Sequence, residues 1–341
     1  MKAVVYKGNR RFSVEDIPTP VPGPEQVLIK VKYSAICGTD VHAYLYEAAA
    51  VGSVMGHEYS GTIAKVGQSV TTWKEGDRVM GGGGAPPAGT ELPLRDDPRY
   101  DYRTMGSSIN STRSYAEYVI NKDWEIIGIP DGVSDQQAAL CEPAGVAVRA
   151  VRKSAMRLGD SVAVLGAGPI GLFCIQAARA AGARTVYVSE PSALRAEAAL
   201  SLGADAVVDP TSEDPVERIV ELTGGVGPEV VFECASAKST LSQAFNMARR
   251  DGQVMLVALA WEPTGVVPVE WMAREVTLAT TFGTDPRDWT TALDLIREGK
   301  IDMDAMVTDA GFIGLDGVQE AFESLIKPTT QLQMVIEPWA G

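Results

Sequence analysis

From residue 161 onward, short apolar runs alternate with helix-length segments, and this alternation constrains the fold more than any other feature. Strand-like runs fall at 161–165, 185–189, 206–208, 229–233, 253–259 and 275–281. Helical segments fall between them, through 181, near 193–202 and near 215–223. Six strands with helical crossovers predict a parallel, doubly wound sheet with right-handed connections. The first strand runs into Gly166-Ala167-Gly168-Pro169-Ile170-Gly171 and then an Ala-rich helix. Alone, that glycine spacing is weak evidence. Between a strand and a helix it points to a dinucleotide phosphate site. The first Gly permits a tight turn, the second admits pyrophosphate to the backbone, and the third allows close helix–strand packing.

Glu190 ends the second strand, 19 residues after Gly171. A carboxylate there accepts hydrogen bonds from ribose hydroxyls and repels a 2′-phosphate, which favours NAD over NADP. Arg195 either flanks the adenosine or lies on a solvated helix face.

Residues 1 to about 120 read differently. Strand-like pieces at 2–6, 26–33, 59–66, 78–80 and 116–120 are separated by Gly and Pro, with scarce helical periodicity, which predicts an antiparallel β domain. A tail from about 285 carries a helix near 289–298 and a strand-like 331–336; too short to stand alone, it should pack back on the β domain. The expected division is 1–145 with 285–341, and 146–284 as the nucleotide-binding domain. Residues 81–110 form a long loop rich in Gly, Pro, Asp, Arg and Tyr.

The net charge of −14 argues against nucleic acid or an anionic membrane as a main partner. No apolar run reaches the ~18 residues of a membrane span, and the first ten residues lack an apolar leader core. Four Cys without paired spacing argue against a disulfide framework, so a cytoplasmic protein is expected.

The chain has only two His, and both lie close to other metal-ligand types. One cluster is Cys37-Gly38-Thr39-Asp40-Val41-His42 and the other is Gly56-His57-Glu58. Thiolate, imidazole and carboxylate together suit Zn²⁺, and a catalytic zinc needs three protein ligands and an open position. Cys37 and His57 are the first two. Glu58 and Glu142 compete for the third, with Cys141 a weaker option. Glu142 precedes Pro143, which predicts an extended or turn geometry before the next helix and favours it as the resting ligand, with Glu58 close behind. Asp40 either orients a ligand or caps a local turn. Cys174 and Cys234 read as packing residues.

The run Gly56-His57-Glu58-Tyr59-Ser60-Gly61, followed by Val66-Gly67 and Gly76-Asp77-Arg78-Val79, resembles the zinc-containing medium-chain alcohol dehydrogenases. Cys37-Gly38-Thr39-Asp40, Glu142-Pro143 and the Gly-rich turn occur in the same order. The likeness spans essentially the whole chain and is greatest to the threonine, butanediol and sorbitol dehydrogenase branch.

The resemblance implies an α/β protein: a GroES-like catalytic domain from both chain ends and a Rossmann domain between them. It implies a secondary alcohol, diol, polyol or amino alcohol as substrate, NAD as hydride acceptor and zinc at Cys37 and His57 with Glu58 or Glu142. It implies a proton relay through Thr39 and His42, and cofactor contacts from Ile170, Glu190, Arg195, Val257, Ala258, Leu259, Thr281 and Phe282. It also implies a homotetramer or homodimer; strand 275–281 would be the exposed sheet edge. Two departures stand out. Many relatives bind a structural zinc through four Cys in a loop that here, at 81–110, has none, so one catalytic zinc and no structural zinc are expected. The Cys37–His57 gap is also short, and its segment 47–51 should line the substrate cleft. The rival readings are a zinc-independent NADPH-linked enone or quinone reductase of the same superfamily, and a non-catalytic dinucleotide-binding protein.

Overall fold

The computed structural model describes residues 1–81, 113–284, 286–326 and 331–340. Beyond Gly81, the expected loop at 81–110 lies outside the described residues, and with it the question of a structural metal. The chain divides into two compact units, Met1–Glu142 with Met306–Gly341, and Pro143–Ala305.

The first unit opens with the antiparallel pair β1 (Lys2–Gly8) and β2 (Arg11–Asp16). Then come β3 (Gln26–Ala35), helix α1 (Gly38–Leu45), β4 (Glu58–Val66), β5 (Arg78–Gly81), β6 (Tyr118–Lys122), β7 (Ile126–Gly128) and α2 (Asp135–Ala139). Helix α3 (Cys141–Lys153) leads into the second unit. That unit runs β8 (Ser161–Leu165), α4 (Pro169–Ala180), β9 (Thr185–Ser189), α5 (Ala193–Ser201), β10 (Ala206–Val208), α6 (Pro215–Leu222), β11 (Val230–Glu233), α7 (Thr240–Met247), β12 (Gln253–Leu256), α8 (Pro268–Met272), β13 (Thr277–Thr280) and α9 (Pro286–Arg297). The chain returns to the first unit with β14 (Phe312–Ile313), α10 (Val318–Ile326) and β15 (Val335–Ile336).

In the first unit β3 is the hub. It pairs antiparallel with β4, β6 and β15, and β4 continues the sheet to β5 and β7. Strand β15 therefore adds the C-terminal segment to a sheet begun near the N-terminus. Val27, Ile29, Val31, Tyr59, Ile63 and Val79 fill one core of this unit. A second core packs β1 against α1 and α10 around Tyr6, Tyr44, Tyr115 and Phe322. Helix α1 was not expected from the sequence. Its eight residues lack a sustained apolar stripe, and it stands on tertiary packing of Ala43 and Tyr44.

The second unit is a six-stranded all-parallel sheet in the order β10-β9-β8-β11-β12-β13. Counted within the unit this is 3-2-1-4-5-6, with the strand order reversing between β8 and β11. Strand β8 is buried along its whole length, as a parallel strand covered on both faces must be.

The division departs from the sequence reading at residues 143–145 and 285–305, which belong with the nucleotide-binding unit. The reason lies in α9. Asp288, fully buried, accepts hydrogen bonds from Arg149 (3.1 Å) and Arg152 (2.8 Å) of α3. Trp289, 1% exposed, packs so closely on Gly145 that a Cβ there would lie 2.7 Å from the indole.

Candidate metal centre and dinucleotide turn

Cys37 is the N-cap of α1, and its Sγ accepts from the Thr39 N–H at 3.4 Å. A helix N-terminus favours an anionic sulfur there. His57 lies just before β4, after Gly56, whose φ of +97° suits glycine. Because His57 is outside the strand, the strand's period of two does not send its neighbour to the opposite side. One donor atom each from Cys37, His57 and Glu58 lies within 4.8 Å of the others, the only such group of three or more among the described residues.

The electrostatics of these groups suit a cation. Burial, with the nearby Glu58 carboxylate, pushes the Cys37 thiol up to about 12. Burial and the charge of Glu142 push Glu58 up to about 8. Burial works against a charge on His57, but Asp40 and Cys37 outweigh it and hold His57 well above its ordinary value. Two groups reluctant to ionise without a cation, set beside an imidazole, form a donor set that fits Zn²⁺.

Glu142 is buried and raises Glu58, but it is not one of the converging donors. It also sits in the first turn of α3, not in the extended geometry expected before Pro143. Pro143 falls in that same first turn, where its missing N–H costs no helical hydrogen bond. In this geometry Glu58, and not Glu142, is the carboxylate grouped with Cys37 and His57. Cys141, buried beside Glu142, is also outside the group.

Asp40, which the sequence left as an orienting or a capping residue, completes the surroundings together with Tyr115, Gln333 and Ser34, which the sequence did not single out. Asp40 Oδ2 lies 3.4 Å from His57 Nδ1 and accepts from the Tyr115 hydroxyl at 2.7 Å. Burial raises Asp40, but His57 and Tyr115 outweigh it and hold its carboxyl below the usual range. Gln333, beside β15, donates from Nε2 to Glu58 Oε2 at 3.4 Å. Ser34 donates to the Glu58 carbonyl at 3.1 Å. Tyr115 and Gln333 come from distant segments, and no local pattern marks them.

Thr39 and His42 lie three residues apart on α1, hence on one face. Burial lowers His42, while a backbone hydrogen bond at Gly38 pulls the other way. The net direction is down, which keeps His42 neutral at pH 7 and able to accept a proton.

In the second unit the Gly-rich turn joins β8 to α4. Gly166 has φ +86°, and a Cβ on it would meet Ala235 at 2.8 Å. A Cβ on Gly171 would lie 1.9 Å from the Gly166 carbonyl oxygen. A Cβ on Gly168 would meet nothing within 4 Å, which leaves this backbone open to a ligand. Pro169 and Ile170 begin α4. Glu190, 4% exposed, braces the turn: Ala167 N–H donates to Oε2 at 2.6 Å and Ser192 N–H to Oε1 at 2.9 Å. Val257, Ala258 and Leu259 follow the C-terminal end of β12, and Thr281 and Phe282 follow that of β13. Thr281 Oγ1 and Arg195 Nε are buried without hydrogen-bond partners. Open backbone, a carboxylate with acceptor sites to spare and these unsatisfied polar atoms suit a nucleotide.

Cys174 and Cys234 are free thiols with Sγ atoms 3.9 Å apart in this unit. Among the described residues, no helix is long and apolar enough to cross a membrane.

Comparison with known proteins agrees with this geometry. Residues 23–131 match the alcohol dehydrogenase GroES-like domain, and residues 169–298 match the zinc-binding dehydrogenase family. The chain is 34% identical to (R,R)-butanediol dehydrogenase of Bacillus subtilis, covering 99% of this chain and 100% of that protein. It is 33% identical to sorbitol dehydrogenase of Halalkalibacterium halodurans, covering 90% and 92%. A crystal structure of a putative zinc-binding dehydrogenase from Sinorhizobium meliloti bound to NADP is 28% identical, with a TM-score of 0.84 over 99% of both chains.

Proposed function

The chain belongs to the zinc-containing medium-chain alcohol dehydrogenase family, and on that premise we propose that it oxidises a secondary alcohol of the diol, polyol or amino-alcohol class with NAD as hydride acceptor. The observation that carries this reading is the convergence of Cys37, His57 and Glu58 within 4.8 Å. The same convergence speaks against a zinc-independent reductase and a non-catalytic nucleotide binder.

Zinc bound by these three residues supplies a Lewis acid that lowers the pKa of the substrate hydroxyl. NAD, when bound, supplies the hydride acceptor. The chain's own residues do the rest. Asp40 orients His57 through Nδ1 and leaves Nε2 as the ligand atom. Thr39 takes the hydroxyl proton and passes it toward His42, which is neutral at pH 7 and half-buried. Glu142 acts beside the site as the nearby carboxylate. The backbone at Gly168 and Ile170 receives the phosphates at the α4 N-terminus, which Pro169 begins. Arg195, Val257–Leu259, Thr281 and Phe282 are assigned to the rest of the cofactor.

NAD over NADP rests on Glu190. Its carboxylate has roughly four acceptor sites; two serve the turn, and the others would accept from the ribose hydroxyls of a bound NAD. The assembly is proposed as a homo-oligomer, a tetramer ahead of a dimer. Its support is the edge strand β13, with Leu278 exposed and Val267, Val269 and Met272 exposed on and before α8. A cytoplasmic setting is proposed from the charge and the free thiols.

The test is metal analysis combined with an oxidation screen of diols, polyols, amino alcohols and cyclic alcohols using both cofactors. One zinc per chain, NAD-linked turnover and loss of turnover on chelation are expected. Reduction of enones with NADPH that survives metal removal would assign the protein to the zinc-independent branch instead.

A further inference from the structure

We infer that Tyr115 is a positioning residue for the metal centre, acting on His57 through Asp40; this rests on the zinc reading above. Tyr115 is fully buried, and its hydroxyl donates at 2.7 Å to Asp40 Oδ2, the oxygen that also faces His57 Nδ1. Its backbone is bound to the segment leading into His57. Tyr115 N–H donates to the Met55 carbonyl at 3.0 Å, and Ser114 N–H to that of Gly56 at 3.3 Å. The ring packs on Gly56, where a Cβ would lie 2.5 Å from it. One residue thus fixes both the main chain before His57 and the carboxylate that aligns its imidazole.

The neighbouring Ser114 extends the brace to Glu58, the first residue of β4. Its hydroxyl is 2.8 Å from that of Ser34, which donates to the Glu58 carbonyl. A phenol in this place has a specific consequence. A tyrosine hydroxyl has one hydrogen to give, and the short contact commits it to Asp40. Asp40 is then held with an oxygen turned toward Nδ1, which sets the tautomer that leaves Nε2 for metal. Without the hydroxyl, Asp40 is free to rotate about its side-chain torsions. Partners of this kind typically change metal affinity 10- to 100-fold.

The experiment compares zinc affinity, by chelator competition, in wild type, Tyr115→Phe, Asp40→Asn and the double variant, all with the full chain. Tyr115→Phe keeps the ring on Gly56 and Phe322 and should lower zinc affinity about 10- to 100-fold while leaving NAD affinity unchanged. Its effect should vanish in the Asp40→Asn background, because the hydroxyl acts through that carboxylate. Cobalt-substituted Tyr115→Phe should show a shifted visible spectrum, a readout that looser packing elsewhere would not move. Zinc affinity of Tyr115→Phe within twofold of wild type, or an equal loss with and without Asp40, overturns the inference. If Tyr115→Phe fails to fold, Asp40→Asn decides alone: unchanged zinc affinity there leaves Tyr115 nothing to act through and overturns it. A wild type that retains no zinc after dialysis refutes the metal reading itself.

Discussion

Replacing Glu190 by Ala should damage folding and cofactor choice together, because one carboxylate serves both. Its two oxygens satisfy the N–H groups of Ala167 at 2.6 Å and Ser192 at 2.9 Å, and the residue is 4% exposed. Alanine leaves both donors without that partner, at about 1–3 kcal/mol for each buried group left unpaired. The Ser192 donor is only partly buried, so the combined loss is about 2–4 kcal/mol. In a unit of Pro143–Ala305 that size of loss lowers the unfolding midpoint by about 5–15 °C. The preference for NAD over NADP, set at roughly 1–3 kcal/mol by the same carboxylate, should narrow as well. Thermal scanning and cofactor titration of wild type, Glu190→Ala and Glu190→Gln measure both. Glu190→Gln, which keeps one carbonyl acceptor, should fall between the other two in midpoint. A Glu190→Ala midpoint within about 1 °C of wild type would refute the bracing argument, and a wild type that prefers NADP would refute the cofactor argument and give the dominant role to Arg195.

At pH 7 zinc uptake should release about two protons from Cys37 and Glu58, and up to one more from His57, because each is held protonated in the metal-free site. All three are raised, so zinc affinity should fall as pH drops, by about tenfold per proton per pH unit; calorimetry in buffers of differing ionisation enthalpy measures this, and a buffer-independent heat contradicts it. Glu58→Ala should lose zinc on dialysis while Glu142→Ala keeps most of it, and the opposite pattern would make Glu142 the resting ligand. Gly145→Ala should destabilise the nucleotide-binding unit by about 1–3 kcal/mol, since its Cβ would meet Trp289 at 2.7 Å; an unchanged melting curve would show that α9 yields easily. Leu278→Glu on the exposed edge should shift light-scattering mass toward 36 kDa, and a wild type already at that mass refutes the assembly.

The nucleotide-binding unit was readable because its physics is local. Parallel strands buried on both faces are continuous apolar runs, and Gly171 answers a steric demand from the Gly166 carbonyl, five residues away. The first unit was readable in its strands near 2–6, 26–33, 59–66, 78–80 and 116–120 and in the residue types of its candidate ligands. Cys37, His57 and Glu58 announce themselves by residue type, but their convergence depends on α1, whose short pattern carries no helical stripe. Glu142 was misplaced because the preference of a residue before proline for extended backbone yielded to the helix that α3 builds. Tyr115 and Gln333 reach the site across β-bridges and strand pairings, contacts that no spacing in the sequence encodes. Residues 285–305 were assigned to the other unit because the ion pairs of Asp288 span more than 130 positions.

The discontinuity of the first unit sets an order on how the molecule is made. Pro143–Ala305 is one uninterrupted stretch and can fold as soon as it leaves the ribosome. The sheet around β3 is still waiting at that moment for β15, and Glu58 for Gln333, both supplied by the last thirty or so residues. Cys37, His57 and Glu58 are therefore synthesised long before Gln333, whose amide donates to Glu58. A chain that stops short of β15 therefore contains the whole continuous stretch Pro143–Ala305 but lacks the β15–β3 pairing and the Gln333 contact to Glu58.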